Sequence, residues 1–457
     1  MKTQAVPRAR FVGLAALAAA IATMTACSSS GSGGDDTGAA ETSGAVSTAA
    51  APGSSTPADS GSPAASGGGA TSAFKVNLDD CEDPDAATKA VTGSWKIGYS
   101  LPLSGPVAGV VTYATDGFKA RIAAENAKGG INGVKLDVIY KDDAFTPDRA
   151  KANVTQFLQQ DKVDSLVTFG SGSTGAMADD QNASCVPLLY PSSSVAQYRD
   201  ISQYPWTVQF LPSADKEAVY DVKLIQEKFP SGATVGIAEN QTASGKGESE
   251  AFQKAAKGTN VKIAVIAPST DPNAAATQIK AKNPDVVYIA GVTNDCGPDV
   301  QALSRIGFKA KLVINPSNCA DETGYIAAGA AADGGVVPSY LKNPADPKLA
   351  GDAGVKAYLS EVKTANKNNT IAVAGWTTAD LTINTLKQAA KMPGGLTHEN
   401  AIKAARDQDY ASPMLINGIT WQSSPKELVG FSGFQTTVWN AKTKSFSADG
   451  DVISLGS

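Results

Sequence analysis

The chain has 457 residues, 42% hydrophobic and 18% charged, with a formal charge of −5. That length is too great for one small core and suits two domains of ordinary size. The charge is spread without a basic run or an aromatic-interleaved patch, which argues against nucleic acid as a partner; beyond the N-terminus no apolar run is long enough to span a bilayer, so any transport step falls to another protein.

The first seventy residues differ from the rest. Lys2, Arg8 and Arg10 precede a mostly apolar stretch, 11–22, the pattern of a secretory signal rather than of a membrane span. Met24-Thr25-Ala26-Cys27 then resembles the lipobox of bacterial lipoproteins, in which the cysteine becomes the lipidated first residue of the mature protein. Met24 stands where that family prefers leucine. The alternative is plain secretion, with Cys27 discarded or left as a thiol. Residues 28–72 are almost entirely Gly, Ser, Ala, Thr, Pro and Asp, with one Glu and no Lys, Arg or aromatic residue. Such a segment buries too little apolar surface to offset ordering entropy and reads as a disordered tether. Its span of about 35 to 40 Å serves either as a leash beside a membrane partner or as a spacer through a cell wall or stalk.

From there strands and helices alternate. Lys96–Leu103, Lys135–Tyr140, Asp164–Phe169 and Val186–Tyr190 read as short buried strands, with helices over Tyr113–Asn126 and from Pro147 to about Gln160. The unit repeats after 206–212: helix 215–229, strand 233–239, helix 247–257, strand 261–267, helix 273–282, strand 285–291, helix 298–306, strand 311–315 and a strand near Val336. Short strands separated by helices of this length indicate parallel sheets covered on both faces, here two in succession. Helices at 353–368, 376–391 and 399–406 follow, then hairpin-like sequence over Ile419–Gln422 and Phe434–Asn440, with turn-prone Ser423-Ser424-Pro425 between. The fold class is α/β, with two doubly wound parallel-sheet lobes.

Ligands of open parallel sheets bind outside the carboxyl ends of the strands. Here those ends carry Ser104-Gly105-Pro106, Gly170-Ser171-Gly172-Ser173-Thr174, Pro191-Ser192-Ser193-Ser194, Glu239-Asn240-Gln241, Thr293-Asn294-Asp295 and Pro316-Ser317-Asn318. Small hydroxyls and helix-start N–H groups suit reversible capture of an anionic group, although Ser and Thr also serve as ordinary helix caps. Enzyme readings find no constellation. Residues 170–175 satisfy GxGxxG, but the next strand ends in Pro-Ser instead of the acidic residue that grips a ribose. No serine sits in a GxSxG elbow, and the single histidine, His398, in a loop or helix start far along the chain, reads as a solvated surface residue rather than a triad base. Asp142-Asp143 and Asp179-Asp180 read as solvent-facing pairs. No cofactor and no metal site is called for.

Several segments in order are similar to one family: IGYSLPLSGPVA (97–108), NAKGGINGVKL (126–136), YKDDAFTP (140–147), TFGSGST (168–174), YPSSS (190–194), GWTTAD (375–380) and GITWQ…LVGF (418–431). From Lys96 onward the chain resembles the leucine/isoleucine/valine-binding family of type I periplasmic binding proteins, the extracytoplasmic receptors of ATP-binding cassette (ABC) importers. The resemblance implies three crossovers, an N-lobe of 92–212 plus 341–415, a C-lobe of 213–340 plus 416–457, and a ligand between lobes that close. It places Ser171, Ser192 and Ser194 at the ligand carboxylate, and Ser173 of the same strand end is a further candidate ligand-binding residue. Where branched-chain binders use aromatic residues this chain has Val110, Ser244 and Val292, and Ser317 stands where they place a glutamate facing the ammonium. Asp295 or Asp321 is the candidate substitute; otherwise the ligand is an amide, a carboxylic acid or another small polar metabolite. Tyr113, Asn240 and Trp376 are further candidate cleft residues.

Apart from Cys27 there are four cysteines, Cys81, Cys185, Cys296 and Cys319. An even number in an exported chain favours disulfides over a metal site, and three pairings are possible. Cys81–Cys185 and Cys296–Cys319 are preferred because each joins residues read into one lobe. The resulting expectation is a monomeric binding protein, lipid-anchored on the extracytoplasmic face of the cell membrane, that delivers a small polar solute to ABC importer membrane subunits. A sensor of the same fold that signals without transport is the rival, and a surface hydrolase the third class.

Overall fold

The computed structural model describes residues 74–455. The expected signal peptide 1–27, its lipidation site Cys27 and the tether 28–72 lie outside the described residues.

The described chain opens with a short helix, α1 (Pro84–Thr88), and then builds a first sheet. Its strands are β1 (Ser94–Leu101), β2 (Lys135–Asp142), β3 (Ser165–Thr168), β4 (Leu188–Leu189) and β5 (Thr207–Val208), interleaved with α2 (Ala108–Ala127), α3 (Pro147–Gln156) and α4 (Ser171–Ala183). They are parallel in the order β2-β1-β3-β4-β5. After α5 (Ala214–Lys228) a second sheet follows: β6 (Ala233–Glu239), α6 (Ala243–Ala256), β7 (Val261–Pro268), α7 (Pro272–Lys282), β8 (Val286–Ala290), α8 (Cys296–Arg305), β9 (Leu312–Ile314), α9 (Glu322–Ala328) and β10 (Val336–Ser339). The chain then returns through α10 (Ala353–Glu361), α11 (Thr370–Ala389) and α12 (His398–Ala405) to a three-stranded antiparallel sheet, β11 (Gln408–Tyr410), β12 (Trp421–Ser423) and β13 (Gly430–Phe431). It ends in β14 (Gly433–Asn440) and β15 (Ser445–Ser454). Among the described residues no helix is long and apolar enough to cross a membrane.

Local signals account for the elements. Asp271 and Thr397 accept the Asn273 and Asn400 backbone N–H at the starts of α7 and α12, and Pro147 and Pro272 occupy first turns whose N–H groups need no partner. The interior strand β8 reads VVYIA and is buried throughout, as a sheet covered by helices requires.

Several expectations are corrected. The second sheet is mixed, in the order β15-β14-β10-β9-β8-β6-β7, because β14 pairs antiparallel with both β10 and β15. The late strands do not pair with each other: β12 pairs with β11 and β13, so the Ser424 turn joins β12 to β13, while β14 takes its partners from the second sheet. Residues 416–432, read into the C-lobe, pack instead toward the first lobe, with Trp421 edge-on to Tyr190 and the Leu428 carbonyl accepting from Arg199. The helix read over 353–368 ends at Glu361, where Val362 turns extended. His398 is 8% exposed, with Trp95 edge-on and Asp164 Oδ1 3.3 Å from Nε2, so it is a packed residue and not a solvated one. Asp143 is likewise buried.

The chain runs between the sheets three times, and one ring from each passage meets the others. Phe210 follows β5, Tyr340 follows β10 and Phe431 precedes β14. Tyr340 stacks on Phe431, and Phe210 meets both edge-on. Backbone bonds from Lys342 N to Met414 O and from Ile416 N to Tyr340 O tie two of the passages together. Cys81 is bonded to Cys185 and Cys296 to Cys319, each within one lobe.

Candidate ligand cleft

The strand order reverses between β1 and β3 in one sheet and between β6 and β8 in the other, and the loops at such points diverge to leave a crevice. One cavity collects residues from both lobes. The first lobe contributes Val107, Val110, Val111 and Ala114 around the start of α2, Phe145 after β2, Phe169 and Gly170 after β3, and Ser192 after β4. The second contributes Ser244 on α6, Val292, Thr293 and Asn294 after β8, and Asn318 after β9. Phe210 and Leu211 from the first passage, with Ile371, Ala374, Gly375 and Thr378 of α11, complete the wall. The space between these walls, part of it open to solvent, is about 730 Å³.

The first lobe's rim is held by a buried carboxylate. Asp143 accepts from Ser100 Oγ at 2.9 Å and from the Phe145 backbone N–H at 2.9 Å. That turn holds Ala144 and Phe145 at φ of 47° and 61°, a left-handed conformation that such residues adopt only when their surroundings impose it. Phe145 thereby lies over Gly170, where φ is 93° and a Cβ would strike its ring. Burial pushes the Asp143 carboxyl above its usual range, opposed by the bonds from Phe145, Ser100 and Ser173.

The lobes touch beside the cleft and beyond it. Ser244 Oγ donates to Ser171 Oγ at 3.0 Å, and Ser171 also receives Ser193 Oγ at 3.1 Å. Beyond the cleft, Asn369 Nδ2 donates to Asp321 Oδ1 at 2.8 Å, while Thr370 donates to Glu322 through its backbone N–H at 2.9 Å and its hydroxyl at 2.6 Å. Glu322 therefore crosses from the second lobe to the N-terminus of α11, where a carboxylate suits the helix dipole. Burial nevertheless pushes its pKa up to about 7.

Behind the second lobe's wall lie three more buried carboxylates. Ser317 Oγ donates to Glu217 Oε2 at 2.8 Å, and Asn318 Nδ2 to Glu248 Oε1 at 2.7 Å, while both oxygens of Asp221 lack a partner. Burial raises all three, Glu217 to about 7, and their mutual repulsion raises Asp221 and Glu248 further. Among the described residues no group of His, Cys, Asp and Glu is arranged to hold a metal ion.

Residues 94–426 match the family described as periplasmic binding protein. The chain belongs to the periplasmic binding protein family. Curated relatives include Leu/Ile/Val-binding protein homolog 2 of Brucella abortus, 23% identical over 61% of this chain and 80% of the relative, and the Leu/Ile/Val-binding protein of Escherichia coli, 23% identical over 60% and 76%. A branched chain amino acid ABC transporter protein from Thermus thermophilus with bound valine superposes with a TM-score of 0.69 at 14% identity, covering 79% of this chain and 97% of that one. The substrate-binding protein of a Streptococcus pneumoniae branched-chain amino acid transporter, in complex with isoleucine, gives 0.65 at 20%, covering 79% and 99%. The fold is thus the two-lobed type I architecture, and the family is one of binding proteins, not enzymes.

In this periplasmic binding protein, Ser192, Ser244, Val292 and Val110 line the cavity, as do Gly170, Thr293, Asn294 and Asn318 at the anticipated strand ends; Ser171, Ser173, Ser194, Tyr113, Asn240, Ser317 and Trp376 do not. Ser171 is covered by Ser244, Ser173 supports Asp143, and Ser194 is buried with its carbonyl accepting from Ala214 N. Ser317 turns to Glu217, and Asn240 accepts from Thr242 N and bonds to Asp295. Tyr113 lies half-buried on α2, away from the cavity. Trp376 is a core residue whose Nε1 donates to Glu361 at 2.8 Å, under the Arg121 guanidinium. The candidate ammonium partners are engaged elsewhere, Asp295 with Val292 N and Asp321 with Asn369. Phe145, Phe169, Phe210 and Ile371 were missed. Their signal was weak: apolar residues directly at a strand end or helix start, where a core residue is less expected.

Proposed function

We propose that this periplasmic binding protein is the lipid-anchored, extracytoplasmic receptor of an ABC importer, tethered through Cys27 and the 28–72 segment. It works as a monomer and holds one small solute between an N-lobe of 92–212 plus 341–415 and a C-lobe of 213–340 plus 433–457, with 416–432 of the expected C-lobe segment packed against the N-lobe. What supports the reading is a cavity built from the reversal points of both sheets, with the lobes touching beside it through Ser244 and Ser171. A solute bridging the walls favours the closed form by its differential affinity for that form, and the importer senses the closure. The relatives' names point to a solute of about the size of a branched-chain amino acid. The predominantly aliphatic and aromatic wall calls for an apolar body on it.

The test is a thermal-shift screen of the exported chain over amino acids, amides, organic acids and sugars. A solute at 100 times its Kd adds about 2.7 kcal/mol of stability. Hits are then tested for closure by small-angle scattering and for uptake in cells lacking the gene. A hit that compacts the protein and whose uptake falls in those cells supports the importer role. Compaction with unchanged uptake transfers the protein to the sensor class.

A further inference from the structure

The cleft wall carries no charge: among the described residues, none that lines it is Asp, Glu, Lys, Arg or His. An α-amino acid brings both an ammonium and a carboxylate, and enclosing an ammonium without an opposite charge is strongly unfavourable. The carboxylates near this rim do not serve, since Asp295 holds the Val292 N–H, Asp321 holds Asn369 across the lobes, and Glu217 lies behind Ser317.

The second lobe's wall carries acceptors instead. Asn318 lines the cavity; its Nδ2 is held by Glu248 at 2.7 Å, and its Oδ1 is buried without a partner. Asn294 lines it too, and its Oδ1 is likewise buried and unpartnered. Thr293 and Thr378 donate their hydroxyl protons to the carbonyls of Asn318 and Ala374. Two buried carbonyl oxygens left unmade are costly, and a ligand that brings donors removes that cost.

We propose that the solute is an uncharged molecule with an apolar body and a hydrogen-bond-donating head, an amide or a hydroxyl, whose protons are received by Oδ1 of Asn318 and Asn294 while its body packs on Phe145, Phe169 and Phe210. Glu248 is a positioning residue: by accepting from Nδ2 it fixes the Asn318 amide with the oxygen free for the solute. This deepens the binding reading above and rests on it.

Calorimetry on the exported chain tests it with two neutral probes, 3-methylbutanamide and benzamide, against L-leucine, L-phenylalanine and 3-methylbutanoate. The amides are expected to bind at least tenfold tighter than any charged probe. Asn318→Leu and, separately, Asn294→Ala should each lower amide affinity about tenfold or more, with the probe-free melting temperature retained in at least one of them. Glu248→Gln frees the Asn318 amide to turn, so the preference for 3-methylbutanamide over the acceptor-only 3-methylbutanoate should narrow, a change that loss of structure alone does not produce. Tighter binding of L-leucine than of both amides overturns the inference and leaves the binding reading standing. Binding of none of the five probes overturns the inference, and only a blank in the wider solute screen as well brings down the binding reading with it.

Discussion

Tyr340 and Phe431 stack with ring centroids 3.8 Å apart and planes 17° from parallel, and this contact joins two of the three passages between the lobes. Phe210 of the remaining passage meets Phe431 edge-on at 5.4 Å and also lines the cleft. The passages are thus bound together at one aromatic cluster, and a solute touching Phe210 touches that cluster directly. Phe431→Ala removes the central ring, and a buried Phe→Ala change costs about 3 to 5 kcal/mol. Chemical denaturation should show a loss of that order, and scattering a more expanded solute-free form. A loss below about 1 kcal/mol with unchanged dimensions would show that the rings do not bind the passages together.

Glu322 gives the stability of the fold a pH dependence. Burial raises it from 4.5 to about 7, and the same cause raises Glu217 and Asp299 to about 7. Each group holds its proton more tightly in the folded form than unfolded, so the stabilisation is complete below about pH 4 and is lost as pH rises through 7. Between pH 5 and 8 stability should therefore fall, by up to about 1.4 kcal/mol per unit for each group across its window. Glu322→Gln, which cannot ionise, should shrink the fall. Urea midpoints at pH 5 and pH 8 decide the matter; equal or greater stability at pH 8 refutes it.

Much of the fold was legible because buried strands such as β8 and helices such as α7 carry distinct periods and caps in their own residues. The mixed edge of the second sheet was not, since the partner of β14 is chosen by the return of the chain and not by the residues of β14 itself. The cleft was half legible for a related reason. Ser192, Asn294 and Asn318 stand just past strand ends, where the topology rule points, and Ser244 was reached through the family resemblance. Phe169 and Ile371 are indistinguishable in sequence from core residues, because an interlobe wall uses the same apolar side chains as a core. The engagement of Ser171 by Ser244 depends on two lobes meeting across 73 positions of sequence, and that of Ser317 by Glu217 on a separation of 100. Neither is encoded locally.

The wall formed by α2 and α11 depends on two glycines. A Cβ on Gly117 would strike the Ala372 carbonyl, and one on Gly375 would strike the Ala114 carbonyl. These are backbone atoms of a packed helix pair, so no side chain can move aside to make room. Gly375→Ala should therefore destabilise by about 1 to 3 kcal/mol or more, although alanine is the better helix former by about 1 kcal/mol. It should also weaken solute binding, because Ala114, Ala374 and Gly375 line the cleft at that crossing. Gly109→Ala, on the same α2 but with nothing within 4 Å of the added carbon, is the control and should be neutral or stabilising. If the two variants melt alike, the close approach of the helices is not limiting.

The two disulfides should differ in what their removal costs. Cys81–Cys185 spans 104 positions and fastens the segment ahead of β1 to the turn after α4, where Glu82 N also donates to Ala183 O. Cys296–Cys319 spans only 23, linking the start of α8 to the loop after β9. Closing the longer loop removes more entropy from the unfolded chain, by about 1 kcal/mol on the logarithmic scaling. The paired Cys81→Ser and Cys185→Ser variant should accordingly lose more stability than the Cys296→Ser and Cys319→Ser variant, the former within about 2 to 5 kcal/mol. Their effects on binding should run the other way. The second bond lies against the Val292 carbonyl, beside cleft residues Val292 and Asn318, whereas neither Cys81 nor Cys185 lines the cavity. Denaturation and calorimetry on both double variants read the two orders independently, and a larger loss of solute affinity on removing Cys81–Cys185 contradicts the placement of the cleft.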